Sequence, residues 1–240
     1  GRRVLVTREQ PGRLASMLQQ RGALVIHVPL ISIEEPLDGG EQLASELDEI
    51  DRYDWLVVTS PAGAERVAVA AATGRVRLAA VGTSTADTLA RGAGRDVDLV
   101  PSRQRADALA DELIRLAGAD TWRVLVAQGD LADGTLADRL RTAGHQVTDV
   151  VAYRTVARRP EVRGLVDVAD ADALALASGS AARSWVDAFG VRTPQIVVAI
   201  GPTTARVADE IGLKISSVAA DHSLEGLVTE IERQFSRLGS

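Results

Sequence analysis

Two turns of closely similar sequence, VGTSTA at 81–86 and IGPTTA at 200–205, place hydroxyl groups where they could bind an anion. Each turn follows an apolar run and leads into a segment whose apolar residues have helical spacing. Free backbone N–H groups at a helix N-terminus carry a partial positive charge of about half a unit, and they attract anions. The two turns therefore predict donor groups for a ligand that carries carboxylates or phosphates.

Similar turns follow other apolar runs, and their residues extend the candidate set. A serine or threonine in such a turn either donates a hydrogen bond to a ligand or caps its own helix, and both interpretations stay open for each residue. A glycine in the turn lets a ligand approach the backbone closely. The candidates of this kind are Ser60, Gly82, Ser84, Thr85, Ser178, Gly179, Ser180, Gly201, Thr203 and Thr204.

Two further side chains could take part in binding or chemistry. Arg8 follows the first apolar run, and a guanidinium can bind a carboxylate through two parallel hydrogen bonds. The alternative for Arg8 is a surface ion pair with Glu9 or Asp38. Tyr153 lies in an extended segment and could donate a proton to a leaving hydroxyl group, and its alternative is a packing role.

The three histidines offer little for acid–base catalysis. His27 and His145 lie beside apolar runs, and we expect them at the surface or at a sheet edge. His222 precedes Ser223, and we expect it to belong to the cap of the last helix. The sequence shows no spacing of histidines and carboxylates typical of a metal site, so we expect no metal.

The order of local patterns predicts the elements that position these residues. Short runs rich in valine and leucine alternate with polar turns and with segments of helical spacing. This order is typical of α/β folds, in which helices cover both faces of a parallel sheet. Glycines are expected to end four of the helices, at Gly22, Gly92, Gly144 and Gly212.

An internal repeat indicates that this pattern occurs twice. Similar segments return in the same order in the second half of the chain, which is more than chance would give. We therefore predict two similar lobes, each a parallel sheet flanked by helices. The repeated pairs are RVLV at 3–6 and 123–126, LASMLQQRGALV and LADRLRTAGHQV at 14–25 and 136–147, and TSPAGAERV and ASGSAARSWV at 59–67 and 177–186.

Two extended segments that end in proline, at 29–36 and 151–160, occupy equivalent places in the repeat. We interpret them as a two-stranded connector on which the chain crosses between the lobes. The alternative is two independent halves that meet near residue 120. The predicted limits are 1–30 plus 160–240 for a discontinuous first lobe, 37–152 for the second lobe, and 31–36 and 153–159 for the connectors.

Composition limits the class of protein and its partners. The chain has 240 residues, 46% of them hydrophobic, so it can bury a substantial core. A net charge of −6 argues against a nucleic-acid-binding surface. There is no cysteine, which fits a reducing compartment. No apolar run approaches the roughly 18 residues of a membrane span, and no signal peptide is visible. We expect a cytoplasmic monomer without membrane contact, and we keep a fusion or a handover to neighbouring enzymes open.

The ordered set of motifs resembles the uroporphyrinogen-III synthase family. The motifs run over the whole chain, and their order and spacing are specific even though no single one is decisive. They are LVTRE at 5–9, VPLISIEEP, DWLVVTSPAGAERV, AAVGTSTADTLARGA, VVAYRTV, VAIGPTTARVADEIGL and HSLEGLV.

The resemblance implies a fold, a reaction and a substrate. The family has two α/β lobes joined by a two-stranded connector. Its substrate is hydroxymethylbilane, a linear tetrapyrrole with eight carboxylates. The enzyme expels the terminal hydroxyl group, inverts the last ring through a spiro intermediate and closes the macrocycle to uroporphyrinogen III. The resemblance implies neither a cofactor nor a metal.

The resemblance also assigns roles to residues. Tyr153 matches the tyrosine that assists loss of hydroxide, and Arg8 matches the arginine after the first strand, where Thr7 precedes it. Thr85 with Thr204, and Ser60 with Ser178, match residues of the repeated substrate-binding turns. The family often has Arg-Gly after the strand near 124–127. This chain has Gln128 and Gly129, which keep the turn but lose a charge that could bind a carboxylate.

Two other functions remain compatible with the residues alone. One is a non-catalytic, two-lobed binding protein for an anionic metabolite. The other is a regulatory domain of a fusion protein. The formation of type III rather than type I uroporphyrinogen from hydroxymethylbilane would distinguish the enzyme from both.

Overall fold

The computed structural model describes residues 1–160, 168 and 170–238. Two compact units form, one from residues 1–32 and 156–240 and the other from 33–155. The chain thus leaves and re-enters the first unit at 32/33 and 155/156. The predicted lobe limits stay a prediction, and the stretch 161–167 of the predicted first lobe lies outside the described residues.

The described residues form strands and helices that alternate over most of the chain. The strands are β1 (Arg3–Val6), β2 (Leu24–His27), β3 (Ile31–Glu34), β4 (Trp55–Val58), β5 (Arg77–Ala80), β6 (Arg123–Gly129), β7 (Gln146–Ala157), β8 (Ala173–Leu176), β9 (Ile196–Ala199) and β10 (Ser217–Val218). The helices are α1 (Gly12–Gln20), α2 (Glu41–Asp48), α3 (Pro61–Thr73), α4 (Thr83–Ala93), α5 (Ala106–Ala117), α6 (Thr135–Thr142), α7 (Gly179–Phe189), α8 (Pro202–Glu210) and α9 (Leu224–Leu238).

The first unit is a parallel sheet covered on both faces. Its strand order is β10-β9-β8-β1-β2. Val4 and Val6 of β1 face a core that α1 and α9 complete, whereas Leu5 faces a second core with α7 and α8. Burial on both faces explains why β1, β8 and β9 are apolar runs without the alternation of a half-exposed strand.

The second unit has the same three layers. Its sheet has the order β3-β7-β6-β4-β5. Leu56 and Val58 of β4 face a core with α2, α3 and α4, and Val57 faces a core with α5 and α6. The chain is therefore an α/β protein with two parallel-dominated sheets flanked by helices, as the alternating pattern predicts.

The repeat in the sequence corresponds to a repeat of strand positions. The motif RVLV lies in β1 of the first unit and in β6 of the second, each beside the strand that follows it in the chain. The serine-containing turns follow β8 and β4, which neighbour β1 and β6 on the other side. Equivalent sequence segments thus occupy equivalent places in the two sheets.

Two details of the sequence interpretation are wrong. Gly92 does not end a helix: α4 continues to Ala93, and Gly94 with φ +66° ends it. His145 is not at the surface, because its ring is buried against Trp122 and its Nδ1 accepts the Trp122 backbone N–H at 3.3 Å. None of the helices in the described ranges is both long and apolar enough to cross a membrane.

Candidate functional site

In the first unit, the predicted binding residues share one edge of the sheet. Val6 of β1 lies beside Ala175 of β8, and Leu176 of β8 lies beside Ala199 of β9. Because parallel strands end at the same edge, the turns after these three strands are neighbours. The predicted residues in these turns are Thr7, Arg8, Ser178, Ser180, Gly201, Thr203 and Thr204.

The second unit brings its own predicted residues to the equivalent edge. Val58 of β4 lies between Ala80 of β5 and Ala127 of β6. Gly129, at the end of β6, pairs with Tyr153 of β7. The predicted residues at this edge are Ser60, Gly82, Ser84, Thr85, Gly129 and Tyr153.

The serines of one turn pair act as helix caps. Ser60 Oγ accepts the Gly63 N–H at 3.1 Å, and Ser178 Oγ accepts the Ala181 N–H at 3.1 Å. Ser180 Oγ lies 2.9 Å from Ser178 Oγ, so these two hydroxyls share a hydrogen bond. Ser60 and Ser178 are therefore N-caps of their helices, which is one of the two roles that the sequence left open. Their substrate-binding role stays a prediction.

The glycine turns are different, because the N-cap residue itself has no side chain that could cap its helix. Gly82 and Gly201 are the N-cap residues of α4 and α8, and neither helix has a side-chain cap from that position. The first N–H groups of a helix have no partner within the helix. The Thr83 N–H is bonded to Gln104 Oε1 and Pro202 has no N–H, so the N–H groups of the residues that follow them are the ones that can donate to an anion.

Two buried threonines lie in the first turns of these helices. Thr85 and Thr204 are each only 4% exposed, and neither hydroxyl has a hydrogen-bond partner among the described residues. Ser84 and Thr203 precede them and are exposed. Each turn thus combines free amides with hydroxyls that could donate to the same ligand.

Each of these N-cap glycines is in close contact with a side chain from a loop further along the chain. A Cβ on Gly82 would come within 2.6 Å of Gln104 Oε1, which accepts the Thr83 N–H at 3.1 Å. A Cβ on Gly201 would come within 3.3 Å of Cγ of His222. Sequence reasoning missed Gln104 and placed His222 in the cap of the last helix.

That cap belongs to the neighbouring serine instead. Ser223 Oγ accepts the Gly226 N–H at 3.0 Å, so Ser223 caps α9 and leaves the His222 imidazole beside Gly201. The position of these two residues in the chain could have indicated their role. Gln104 precedes the second helix after β5, and His222 precedes the second helix after β9.

The segment after β1 holds a charge in a partly buried position. Burial lowers the pKa of the Arg8 guanidinium, and no carboxylate in the described part of the chain forms an ion pair with it. The proposed partner Asp38 instead accepts the N–H groups of Gly40 and Gln42. Thr7 is buried, and its hydroxyl has no partner among the residues described.

The backbone around Arg8 is held in place by two hydrogen bonds. His27 Nε2 lies 2.7 Å from the Arg8 carbonyl oxygen, and the Leu30 N–H donates to the Thr7 carbonyl oxygen at 3.1 Å. The guanidinium therefore extends from a fixed backbone position, and no carboxylate of the described residues supplies the counterion that a buried cation requires. An anionic ligand could supply it.

The Gln128 side chain is not available to bind a carboxylate in place of the arginine that the resemblance leads us to expect here. Its side chain is buried, and Nε2 donates to the Asp149 carboxylate at 2.9 and 3.1 Å. Burial raises the pKa of Asp149. The Gln128 amide is thus used within the sheet, and the turn offers the Gly129 backbone rather than a side chain.

Tyr153 lies at the edge where β6 ends. Its ring is partly buried against the core of the second unit, and a Cβ on Gly129 would lie 2.6 to 2.8 Å from its outer ring atoms. The phenol hydroxyl has no hydrogen-bond partner in the described ranges. It can therefore donate to a ligand without breaking a bond within the protein.

Each unit by itself presents groups that can donate hydrogen bonds to anions. The donors are backbone amides, hydroxyls and one guanidinium. Within the described residues, no group of three or more histidines and carboxylates is arranged to hold a metal ion. The edges therefore suit recognition of carboxylates more than strong acid–base catalysis.

Known proteins with similar sequences and structures share one description. A sequence model of the family described as uroporphyrinogen-III synthase HemD matches residues 12–229. A uroporphyrinogen-III synthase of Synechococcus elongatus is 27% identical over 260 residues, covering 97% of this chain and 95% of that protein.

Two solved structures resemble the fold. A uroporphyrinogen-III synthetase of Helicobacter pylori superposes with a TM-score of 0.67 at 17% identity, covering 97% of this chain and 99% of the other. A mutant uroporphyrinogen III synthase of Thermus thermophilus superposes with a TM-score of 0.60 at 17% identity, covering 99% and 100%. At these identities the two structures support the fold alone.

Proposed function

This chain belongs to the uroporphyrinogen-III synthase HemD family, and on that premise we propose that its helix amides, hydroxyls and Arg8 bind carboxylates of hydroxymethylbilane while Tyr153 assists the loss of the substrate's hydroxyl group. The reaction closes the linear tetrapyrrole to uroporphyrinogen III, with inversion of the last ring and release of water. The match over most of the chain supports this activity and does not support the alternatives of a binding protein or a regulatory domain.

The binding step follows from the chemistry of the two edges. A substrate with many carboxylates needs many donors, and each edge supplies free helix amides together with a buried threonine hydroxyl, Thr85 or Thr204. Arg8 adds a charge that no described carboxylate neutralises. The hydroxyls of Ser60, Ser178 and Ser180 extend these donor sets. The proposal is supported most by one observation: in each unit a helix begins at a glycine, Gly82 or Gly201, and has a buried threonine in its first turn.

The chemical step requires loss of hydroxide from the terminal methylene carbon. We assign to the Tyr153 hydroxyl the role of proton donor. It protonates the oxygen of the substrate's terminal hydroxyl group as the carbon–oxygen bond breaks, so that water leaves. The pyrrole nitrogen supplies the electron pair that stabilises the resulting cation. The last ring then attacks this cation through its substituted carbon and forms the spiro intermediate. The original bond between that carbon and its bridging methylene breaks, which leaves a second stabilised cation on the neighbouring ring. The last ring closes on this cation through its unsubstituted carbon, and the proton lost from that carbon as the ring regains aromaticity can return to the tyrosinate.

Control of the substrate's shape decides which product forms. Without an enzyme, the bilane closes without inversion and gives the type I isomer. Fixed donors that hold the carboxylates select the geometry that leads to inversion, which is catalysis by proximity and orientation. The proposed mechanism uses no cofactor.

Several finer properties belong to the same proposal. The absence of cysteine supports a reducing compartment and hence the cytoplasm.

The exposed large apolar residues, such as Leu37 and Val69, supply no evidence for a permanent partner. Single exposed apolar residues of this kind are normal in proteins. We therefore propose a monomer that binds no nucleic acid, and a handover to neighbouring enzymes stays a prediction. Sedimentation measures the oligomeric state.

The activity is tested with hydroxymethylbilane as substrate. The purified chain is incubated with it, the products are oxidised, and the type I and type III uroporphyrins are separated. We expect type III to dominate, while a reaction without protein gives type I. A reaction that yields only type I at the rate of the blank would contradict the proposed function.

The role of Tyr153 is tested by Tyr153→Phe. We expect kcat to fall by about 10- to 100-fold because the proton donor is lost, while the thermal unfolding temperature stays close to that of the wild type. Tyr53→Phe is the matched control, because Tyr53 is the only other tyrosine and its hydroxyl donates to Glu46. A wild-type kcat in Tyr153→Phe would remove Tyr153 from the mechanism.

A further inference from the structure

The pairing of β6 with β7 is irregular at the position of Tyr153. Gln128 lies beside Val151, but the next residue, Gly129, lies beside Tyr153 rather than Ala152. One residue of β7 is therefore extra, which is the pattern of a β-bulge. Bulges redirect side chains, and this one sets the direction of the tyrosine.

Gly129 makes room for the tyrosine ring. A Cβ at this position would lie 2.6 Å from Cζ and 2.8 Å from Oη of Tyr153, closer than a Cβ atom approaches other heavy atoms in proteins. The backbone of Gly129 does not have a positive φ. Glycine is therefore required here by the close approach of the phenol and not by the backbone conformation.

Asp130 fixes the backbone on both sides of Arg154. Its N–H donates to the Tyr153 carbonyl oxygen at 3.1 Å, and its Oδ1 accepts the Thr155 N–H at 2.9 Å. One residue thus holds two points of β7 just beyond the bulge. The strand β6 ends at Gly129, so these two bonds replace the ladder that β6 no longer supplies.

We infer that Asp130 is a positioning residue that, through the Thr155 N–H and the bulge, holds the Tyr153 phenol where the leaving hydroxyl group must accept its proton. This inference rests on the function proposed above for Tyr153. A proton donor that shifts by about 1 Å can lose as much as 100-fold in rate. A carboxylate that orders the donor's backbone can therefore affect turnover without touching the substrate.

The test compares Asp130→Ala with Asp130→Asn. The asparagine keeps an acceptor oxygen for the Thr155 N–H, whereas the alanine removes it. We expect Asp130→Ala to lower kcat by about tenfold with KM changed less than about twofold, and Asp130→Asn to keep kcat within about twofold of the wild type. Asp133→Ala is the matched control, because its carboxylate accepts only the Thr135 N–H, and it should leave kcat unchanged.

A double-mutant cycle shows whether Asp130 acts through the tyrosine. In the background of Tyr153→Phe, Asp130→Ala should lower the residual kcat by less than about twofold, since the group it positions is gone. An equal loss in both backgrounds, or a loss confined to KM or to the unfolding temperature, overturns the inference. A wild-type kcat in Asp130→Ala does the same.

The same cycle separates this inference from the proposed function. If Tyr153→Phe alone has the wild-type kcat, the assigned role of the tyrosine is wrong, and the positioning role of Asp130 is wrong with it. If Tyr153→Phe is slow and Asp130→Ala is additive with it, only the positioning role is wrong. Gly129→Ala gives an independent check on the position of the tyrosine ring. Its methyl group would displace the Tyr153 ring, so we expect kcat to fall although Asp130 is unchanged.

Discussion

At the scale of single residues, Arg8 carries a partly buried charge. Burial lowers the pKa of its guanidinium, and none of the described carboxylates forms an ion pair with it. A partly buried cation without a counterion costs free energy of folding. Such a cost is expected where a residue serves binding rather than stability.

The substitution Arg8→Met should therefore separate stability from function. We expect the free energy of unfolding to rise by up to about 1 kcal/mol, because an uncompensated charge is replaced by an apolar chain of similar length. We expect KM for hydroxymethylbilane to rise by about tenfold or more, because a charged hydrogen bond to a carboxylate is lost. Chemical denaturation and steady-state kinetics measure the two effects.

An Arg8→Met variant that unfolds more easily and keeps the wild-type KM would show that the guanidinium has a stabilising partner and does not bind substrate. Arg183→Met, on the exposed side of α7, serves as the control. We expect neither its stability nor its KM to change beyond the small effects of surface substitutions.

The sequence identifies some of these residues and misses others for a physical reason. Thr85 and Thr204 are predictable because they lie within turns that follow a strand and repeat in both halves of the chain. Gln104 and His222 are not, because their contacts with Gly82 and Gly201 depend on how a distant loop folds back over the turn. Local patterns carry no information about such a contact.

At the scale of elements, α3 and α4 pack unusually closely. A Cβ on Gly92 of α4 would lie 2.5 Å from Cβ of Ala68 on α3. The sequence pattern predicts that Gly92 ends its helix, since glycine usually does so. Its actual role is close packing of two helices, which a pattern within one helix cannot distinguish from a helix end.

The substitution Gly92→Ala should destabilise the protein although alanine is the better helix former. Helix propensity alone would stabilise α4 by about 1 kcal/mol, but the clash with Ala68 forces the helices apart at a cost of about 1–3 kcal/mol. We expect a net loss of stability in chemical denaturation. The loss should shrink when Gly92→Ala is made in a background of Ala68→Gly, and an equal loss in both backgrounds would refute the packing argument.

The last helix, α9, contains a carboxylate that couples stability to pH. Hydrogen bonds from Arg233 and Gln234 lower the pKa of Glu230 to about 2. A carboxyl group whose pKa is lower in the folded state stabilises the protein above its unfolded pKa. This stabilisation is lost as the pH falls through about 4 towards 2.

The substitution Glu230→Gln should accordingly reduce stability at neutral pH more than at low pH. We expect a loss of about 1–2 kcal/mol at pH 7, since the bond to half-exposed Arg233 is partly screened by water. The difference from the wild type should diminish as the pH falls below about 4. Glu232→Gln, which affects an exposed pair with Arg21, is the control. A difference that stays constant from neutral pH down to about 3 would contradict the argument.

Most strands and helices follow from the sequence because burial on both faces of a parallel sheet produces apolar runs such as WLVV of β4. The bulge between Gln128 and Gly129 does not follow from the sequence. It depends on the register between two strands, and at this position the Tyr153 ring lies close to Gly129 of the neighbouring strand. No pattern within either strand indicates it.

At the scale of the whole molecule, the duplication gives each unit the same set of groups. Each sheet ends at an edge with a serine-capped helix and a helix that begins at an uncapped glycine. A substrate with eight carboxylates could use both sets of donors. We expect the donors of each unit to bind carboxylates of the substrate and to decide which isomer forms.

The most direct test measures the kinetics and the isomer ratio of Thr85→Val and Thr204→Val, one variant in each unit. Valine keeps the shape of threonine and removes only the hydroxyl, which bonds to no described group. Thr88→Val, whose hydroxyl donates to the Ser84 carbonyl within α4, is the control. We expect both variants to raise KM for hydroxymethylbilane by about tenfold and to increase the share of type I product. A change in only one of them, or in neither, would contradict this expectation.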